Sequence, residues 1–213
     1  MIDLVLPSVL ETLYMVSFST MFSILLGFPL GVLLVISEKG SIWEKPMLNR
    51  VLNSIINLLR SFPFIILMIL LFPLSKLIIG KTIGTTATIV PLSIAAAPFV
   101  ARVMESSLKE VDRGVIEFSL SMGATVPQII YKVLIPEALP SIILGVTLTI
   151  INLIGYSAMA GTIGGGGLGD LAIRYGLYRF QTDIMIVSVI IIIILVQSIQ
   201  FIGNTLAAKI NKK

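Results

Sequence analysis

Long stretches without a charged side chain alternate with short charged segments along this sequence. Five stretches lack Asp, Glu, Lys and Arg, and they cover residues 12–37, 61–75, 82–101, 138–169 and 184–208. Four of them have the roughly 20 residues that an α-helix needs to cross about 30 Å of hydrocarbon. The second is short, and it reaches a full span only by extending back past Arg60 into residues 51–59. The pattern therefore predicts five membrane-spanning segments, with the start of the second left open.

The apolar runs are typical of helices rather than of membrane β-strands. Residues 188–196 read SVIIIIILV, without the alternation of apolar and polar residues that a barrel strand requires. Hydrophobic residues make up 56% of the chain and charged residues 12%, which is far from the balance of soluble proteins. The sequence predicts an all-α, polytopic protein in contact with membrane lipid, with residues 1–213 forming a single transmembrane domain.

The distribution of basic residues predicts the orientation. With the N-terminus outside, the inner segments carry eleven Lys and Arg residues and the outer segments four, which together account for all 15. Basic residues in short loops favour the cytoplasmic side, so we expect an external N-terminus and a cytoplasmic C-terminus. This bias also explains the net charge of +4, so no nucleic-acid partner is needed to account for it.

Several classes of chemistry find no support in the residues. The chain has no cysteine and no histidine, so thiolate sites and the commonest metal ligand are missing, and we expect no metal site. A membrane enzyme needs paired carboxylates or an activated nucleophile, and no such constellation is visible. An ion-coupled transporter or a channel, the alternative class, is expected to carry charged relays within its spans, and the five stretches contain none. We expect no catalytic residue, and an energy source outside this chain.

A glycine-rich segment, GTIGGGGLGD at residues 161–170, matches G-x-G-x-x-G at Gly164, Gly166 and Gly169. A dinucleotide-binding loop follows a strand in a soluble βαβ unit, whereas a membrane helix precedes this segment and places it outside. We expect a tight external turn, in which glycines adopt positive φ or allow close backbone packing.

The longest cytoplasmic connection, residues 105–137, has an apolar pattern of its own. It includes EFSLSMGATVPQIIYKVLIP, which begins at Glu117 and ends at Pro136. The pattern predicts two short helices joined at Gly123, with Pro136 and Pro140 setting the entry to the next span. A helix lying on the inner leaflet would favour a basic polar face, but this connection has five acidic and three basic residues. We therefore favour an elbow that docks in a groove of a soluble partner.

This elbow resembles the cytoplasmic signature of ABC-importer permeases, Glu-Ala-Ala, three residues, Gly, nine residues, Ile-x-Leu-Pro. Glu117, Gly123 and Pro136 match the signature in register. The departures are Phe118 and Ser119 for the two alanines, Val133 for isoleucine and Ile135 for leucine. The substitutions make the first helix bulkier but leave the spacing intact.

The resemblance covers nearly the whole chain and is closest to permeases of the methionine-importer type. RSFPF at residues 60–64 and GYSAMAGTIGGGGLG at residues 155–169 are similar to that subfamily. The resemblance implies the type I ABC-importer permease fold, a homodimer in the bacterial plasma membrane, and two cytoplasmic ATPase subunits that use ATP and magnesium. It also implies an external binding lipoprotein that delivers L- or D-methionine, and no cofactor in this chain. A permease for another amino acid or an osmolyte is the alternative.

The resemblance also implies roles for two groups of residues. It implies that the residues in contact with the ATPase are Glu117, Gly123, Ala124, Thr125, Pro127 and Pro136. It also implies that Thr149, Asn152, Tyr156 and Met159 form the translocation path or gate. Together with Gly145, these residues share one face of the fourth span. From the residues alone this face either lines a passage or packs against another helix. The resemblance favours a passage, closed by Met159 against its symmetry mate.

Two further polar stripes lie near the inner ends of spans. One comprises Asn49, Asn53, Asn57 and Arg60, and the other comprises Gln197, Gln200 and Asn204. Ordinary solvation at the membrane interface is the interpretation that we favour for both.

Overall fold

The computed structural model describes residues 2–211, and this part of the chain forms helices and turns without any strand. The first helices are α1 (Ile2–Ile36), α2 (Pro46–Ser61), α3 (Phe64–Leu70), α4 (Phe72–Ile79) and α5 (Thr85–Lys109). They are followed by α6 (Arg113–Ser121), α7 (Val126–Ile129), a π-helical turn (Ile130–Leu134) and α8 (Ile135–Glu137). The last are α9 (Leu139–Gly161), α10 (Gly167–Leu171), a second π-helical turn (Ala172–Leu177) and α11 (Thr182–Ile210).

Four helices, α1, α5, α9 and α11, are long and apolar enough to cross a membrane. They coincide with the first, third, fourth and fifth uncharged stretches of the sequence. The all-α, polytopic architecture is therefore confirmed. Helix α5 continues to Lys109, so the first residues of the predicted cytoplasmic connection still belong to this helix.

The second span differs from the sequence-based expectation. Residues 51–59 do not extend α3 as one continuous helix, because α2 and α3 are separate helices bent by 101°. The residue before a proline avoids helical geometry, and Phe62 before Pro63 is extended with φ −73° and ψ 130°. After α3 the helix breaks at Leu71 and the chain continues as α4, where Pro73 in the first turn cannot donate a backbone hydrogen bond.

The core lies where α1, α5 and α9 pack together. Met15, Leu92 and Leu153, one from each of these helices, are completely buried. Close approach of α1 and α5 depends on Gly27, where an added Cβ would lie 2.5 Å from the carbonyl oxygen of Ala97. Small residues at such crossings permit dense packing between membrane helices.

Two members of the α2 stripe, Asn49 and Asn53, are partly buried against the bundle, whereas Asn57 and Arg60 are exposed, so solvation at the interface describes only part of this stripe. The Asn49 amide donates to the Leu34 carbonyl oxygen of α1 at 2.7 Å. The Asn53 amide donates to the Asn49 Oδ1 atom at 2.8 Å, and Arg102 of α5 donates to the Asn57 Oδ1 atom at 2.8 Å. By contrast, Gln197, Gln200 and Asn204 on α11 keep exposed or partly exposed side chains.

Candidate functional site

The cytoplasmic elbow consists of two helical arms that meet at Gly123. The first arm, α6, begins where the Asp112 carboxylate accepts the Gly114 N–H at 2.6 Å. At its end Gly123 has φ +80°, its N–H donates to the Leu120 carbonyl oxygen at 2.9 Å, and the Ala124 N–H donates to the Ser119 carbonyl oxygen at 3.1 Å. This pair of bonds is the Schellman arrangement, in which a left-handed residue ends a helix.

The second arm starts with a capping box at Thr125. The Thr125 N–H donates to Oε1 of Gln128 at 2.8 Å, and the threonine side chain caps the first turn of α7 in return. Pro127 lies in that turn, where a missing backbone N–H costs nothing. Pro136 has the same place in α8, so both prolines shape helix starts.

The tip of the elbow exposes large apolar side chains. Phe118, Met122 and Tyr131 are 68%, 74% and 72% exposed, and Glu117 lies beside them on the exposed side of α6. Exposed apolar clusters on a protein surface mark interaction sites. The sequence analysis missed Met122 and Tyr131; Phe118, noted there only as a departure from the signature, was the available signal.

The base of the elbow is buried against the membrane helices. Ile129 and Leu134 of the second arm are almost inaccessible, and they belong to one apolar cluster with Ile36 of α1 and Leu108 of α5. Densely packed groups transmit displacement rather than absorb it. The second arm is therefore a rigid connection from the exposed tip to the inner ends of α1 and α5.

A polar network lies next to this base and joins α5 to the turn after α1 and to α2. Lys109 Nζ contacts Glu38 at 2.9 Å and Glu105 at 3.0 Å. Arg102 contacts Glu105 at 2.6 Å and also donates to Asn57, as described above. Glu105 is largely buried, so its two cationic partners stabilise its charge.

The predicted stripe on α9 changes its surroundings along the helix. Gly145 and Thr149 are buried, the Thr149 hydroxyl donates to the Gly145 carbonyl oxygen at 2.9 Å, and a Cβ on Gly145 would overlap Val103 of α5. The ring of Tyr156 stacks on Phe64 of α3, with 4.5 Å between centroids and 5° between planes. These three members of the stripe pack within the chain.

The other two members of the stripe, Asn152 and Met159, face away from the bundle. Met159 is 47% exposed, Asn152 is also exposed, and Leu148 and Gly155 extend the same open face. Their side chains are available to a passage or to a second copy of the chain. Part of the stripe therefore packs against other helices, and part of it is free to line a passage, which are the two interpretations that the sequence left open.

The glycine-rich segment forms the tight turn that its sequence predicts. Gly164, Gly166 and Gly167 have φ between +78° and +84°. The turn enters α10, whose Gly167 N–H donates to Oε2 of Glu11 at 2.7 Å and whose Leu168 N–H donates to Oγ1 of Thr12 at 2.9 Å. Sequence reasoning missed Glu11 and Thr12, because nothing in the local pattern of α1 indicates a contact so distant in the chain.

The structure offers no donor set for a metal ion within residues 2–211, since no group of three acidic, histidine or cysteine side chains comes together there. The exposed tip of the elbow and the open face of α9 are two surfaces that the fold presents for function.

Comparison with known proteins agrees with this geometry. The chain is 52% identical to the probable D-methionine transport system permease protein MetI of Vibrio cholerae, over 99% of this chain and 94% of that protein. It is 45% identical to the methionine import system permease protein MetP of Bacillus subtilis, over 95% of this chain and 91% of that protein. A crystal form of the inward-facing MetNI methionine ABC transporter superposes with a TM-score of 0.98 at 42% identity, covering 100% of this chain and 98% of the other. Residues 23–213 match the family of inner membrane components of binding-protein-dependent transport systems. The chain belongs to this family.

Proposed function

We propose that this chain is the permease subunit of an ATP-driven ABC importer and forms the translocation pathway for methionine. The observation that carries the proposal is the elbow between Glu117 and Pro136, which has an exposed apolar tip and a buried base. Such a shape suits a lever driven by a soluble partner. The methionine assignment is supported by the similarity to relatives whose names specify methionine transport.

The proposed assembly is a homodimer with two cytoplasmic ATPase subunits and an external binding lipoprotein. In one chain the α9 face around Asn152 and Met159 is open. Two copies related by a two-fold axis next to this face would enclose a passage between them. ATP and magnesium belong to the ATPase subunits in this proposal, and the permease contributes no cofactor.

The proposed coupling proceeds from the elbow to the outer gate. Closure of the ATPase subunits moves the tip around Gly123, and the buried contacts of Ile129 and Leu134 carry that movement to α1 and α5. The outer part of α9, which bears Met159, moves with the bundle because α9 packs on α5 through Gly145. Two copies of Met159 would then part to admit the substrate from the external lipoprotein.

Selection of the substrate rests largely on the external lipoprotein in this proposal. A permease for another amino acid or an osmolyte is the second candidate within the same class, and L- and D-methionine are both candidate substrates.

Mass measurement of the detergent-solubilised complex, produced with its ATPase, tests the assembly. We expect two permease and two ATPase subunits. A stable complex with one permease chain and full uptake activity would contradict the proposal.

A further inference from the structure

Helix α2 presents three distinct faces. The face towards the bundle bears Asn49, Leu52, Asn53, Ile56 and Leu59, all at least partly buried. A second face is apolar yet exposed, and it bears Met47, Val51, Ile55, Leu58 and, just after the helix, Phe62. A third face is polar and exposed, and it bears Arg50, Ser54, Asn57 and Ser61. This division is typical of a helix at the boundary between a protein, hydrocarbon and water.

The direction of α2 is consistent with that boundary. The 101° bend between α2 and α3 makes the two helices nearly perpendicular. Because α3 lies in the uncharged stretch of residues 61–75 and membrane spans tilt by only about 20° on average, we place α2 close to the plane of the membrane.

The depth of α2 follows from its partners. Its Asn49 reaches the carbonyl oxygen of Leu34, one turn before Glu38, the first charged residue after the long uncharged stretch of α1. Its Asn57 accepts from Arg102, which is the first charged residue along α5. On both neighbouring helices α2 therefore crosses at the level where hydrocarbon gives way to the cytoplasmic head groups.

The charges around α2 are those that attract anionic lipid. The helix contains Arg50 and Arg60 and no acidic residue. Both side chains are exposed, and neither forms an ion pair within residues 2–211. Just before the helix the Lys45 ammonium lies 4.1 Å from the ring centroid of Trp43, which is 37% exposed. Tryptophan and basic side chains together are enriched at the membrane interface.

We propose that α2 is an interfacial helix that binds the inner leaflet, with its exposed apolar face among acyl chains and its basic side chains on anionic phospholipid head groups. A second copy of the chain is the competing occupant of this face. In a two-fold contact each α2 would meet its own equivalent surface, and the unpaired Arg50 and Arg60 side chains would oppose like charges. Anionic head groups complement the same charges, so the observations favour lipid.

The single tryptophan of the chain is a built-in reporter for this proposal. The full-length permease is reconstituted in phosphatidylcholine vesicles, and Trp43 fluorescence is titrated with brominated phosphatidylglycerol or brominated phosphatidylcholine. We expect both lipids to quench Trp43, and phosphatidylglycerol to quench at lower mole fraction. Replacing Lys45 and Arg50 by Gln should reduce the preference about tenfold, because each basic side chain near an anionic surface contributes to lipid binding.

The matched control removes two basic residues elsewhere, by Lys76→Gln with Lys81→Gln, and should retain the preference. Each preference is a ratio measured within one variant, so a change in Trp43 brightness caused by loss of the Lys45 contact does not affect it. Equal quenching by both lipids in the unaltered chain, or no quenching by either, would overturn the proposal.

A second measurement separates lipid from a second copy. Since the chain lacks cysteine, a single nitroxide label can be placed at Val51 or, for comparison, at Ser54. We expect the Val51 label to collide more often with oxygen than with a water-soluble nickel chelate, and the Ser54 label to show the reverse. Dipolar broadening at Val51 together with low accessibility to both reagents would mean that a second copy covers the face, and would overturn the lipid assignment.

Discussion

The carboxylate of Glu11 accepts the backbone N–H of Gly167 at 2.7 Å, although the two residues lie 156 positions apart. The bond ties the glycine-rich turn to α1, and the neighbouring bond from Leu168 to Thr12 reinforces it. The outer end of the bundle is thus held together by backbone donors of α10 and side-chain acceptors of α1.

Loss of this tie should destabilise the outer end. Glu11→Ala leaves the partly buried Gly167 N–H without an acceptor, which costs about 1–3 kcal/mol. Glu11→Gln keeps a carbonyl oxygen in place and should cost less. The melting temperature in detergent should fall most for Glu11→Ala and less for Glu11→Gln. Asp3→Ala, which removes an exposed carboxylate from the same helix, is the control. Equal melting temperatures for Glu11→Ala and Asp3→Ala would show that the tie contributes nothing.

The crossing of α9 and α5 should tolerate no side chain at Gly145. Gly145→Val drives a branched side chain into Val103, and overpacking of this kind costs about 1–3 kcal/mol. Gly155→Val is the matched control on the same helix, because an added Cβ there meets no atom within 4 Å. The unfolding temperature should be near normal for the control and lowered for Gly145→Val. The reverse order would contradict the packing described for α9.

The open face of α9 makes a specific prediction about the dimer. If Met159 meets its symmetry mate, Met159→Cys should form an intermolecular disulfide under mild oxidation, since bonding requires Cβ atoms about 4 Å apart. The chain has no native cysteine, so any disulfide must involve the introduced residue. Met47→Cys, on the exposed face of α2, should remain monomeric on a non-reducing gel. Absence of the Met159 cross-link would assign this residue to a surface outside the dimer axis.

Substitution of Gly123 should disturb the geometry of the elbow. Gly123 has φ +80° and open space around it, so a valine there meets no steric clash with its neighbours. The cost of Gly123→Val comes from the left-handed backbone conformation, which a β-branched residue adopts at about 1–2 kcal/mol. We expect the variant to insert and dimerise but to bind its ATPase weakly and to lose uptake. Gly123→Asn should keep much of both, because asparagine tolerates the left-handed conformation. Co-purification of the ATPase measures the difference, and normal retention by Gly123→Val would remove the elbow from the coupling mechanism.

Local sequence patterns predicted the parts of the structure that local physics determines. Uncharged length identified the four long spans, and the glycine at position 123 predicted two short helices joined by a turn. The positive φ values of Gly164 and Gly166 likewise followed from composition alone.

Tertiary relationships were missed or misread. The contact of Asn49 with α1 was missed, because a sequence does not reveal which helix packs against that face of α2. The contact of Glu11 with Gly167 joins residues 156 positions apart, and no periodicity encodes it.

Uptake in proteoliposomes tests the proposed function most directly. Vesicles containing the permease and its ATPase, with the binding protein on one side and ATP and magnesium on the other, are given radiolabelled L- or D-methionine. We predict accumulation that requires ATP, that fails with Gly123→Val and that persists with Gly123→Asn. Equal methionine flux without ATP would indicate a passive channel, and ATP-driven uptake of a different amino acid with none of methionine would contradict the substrate assignment.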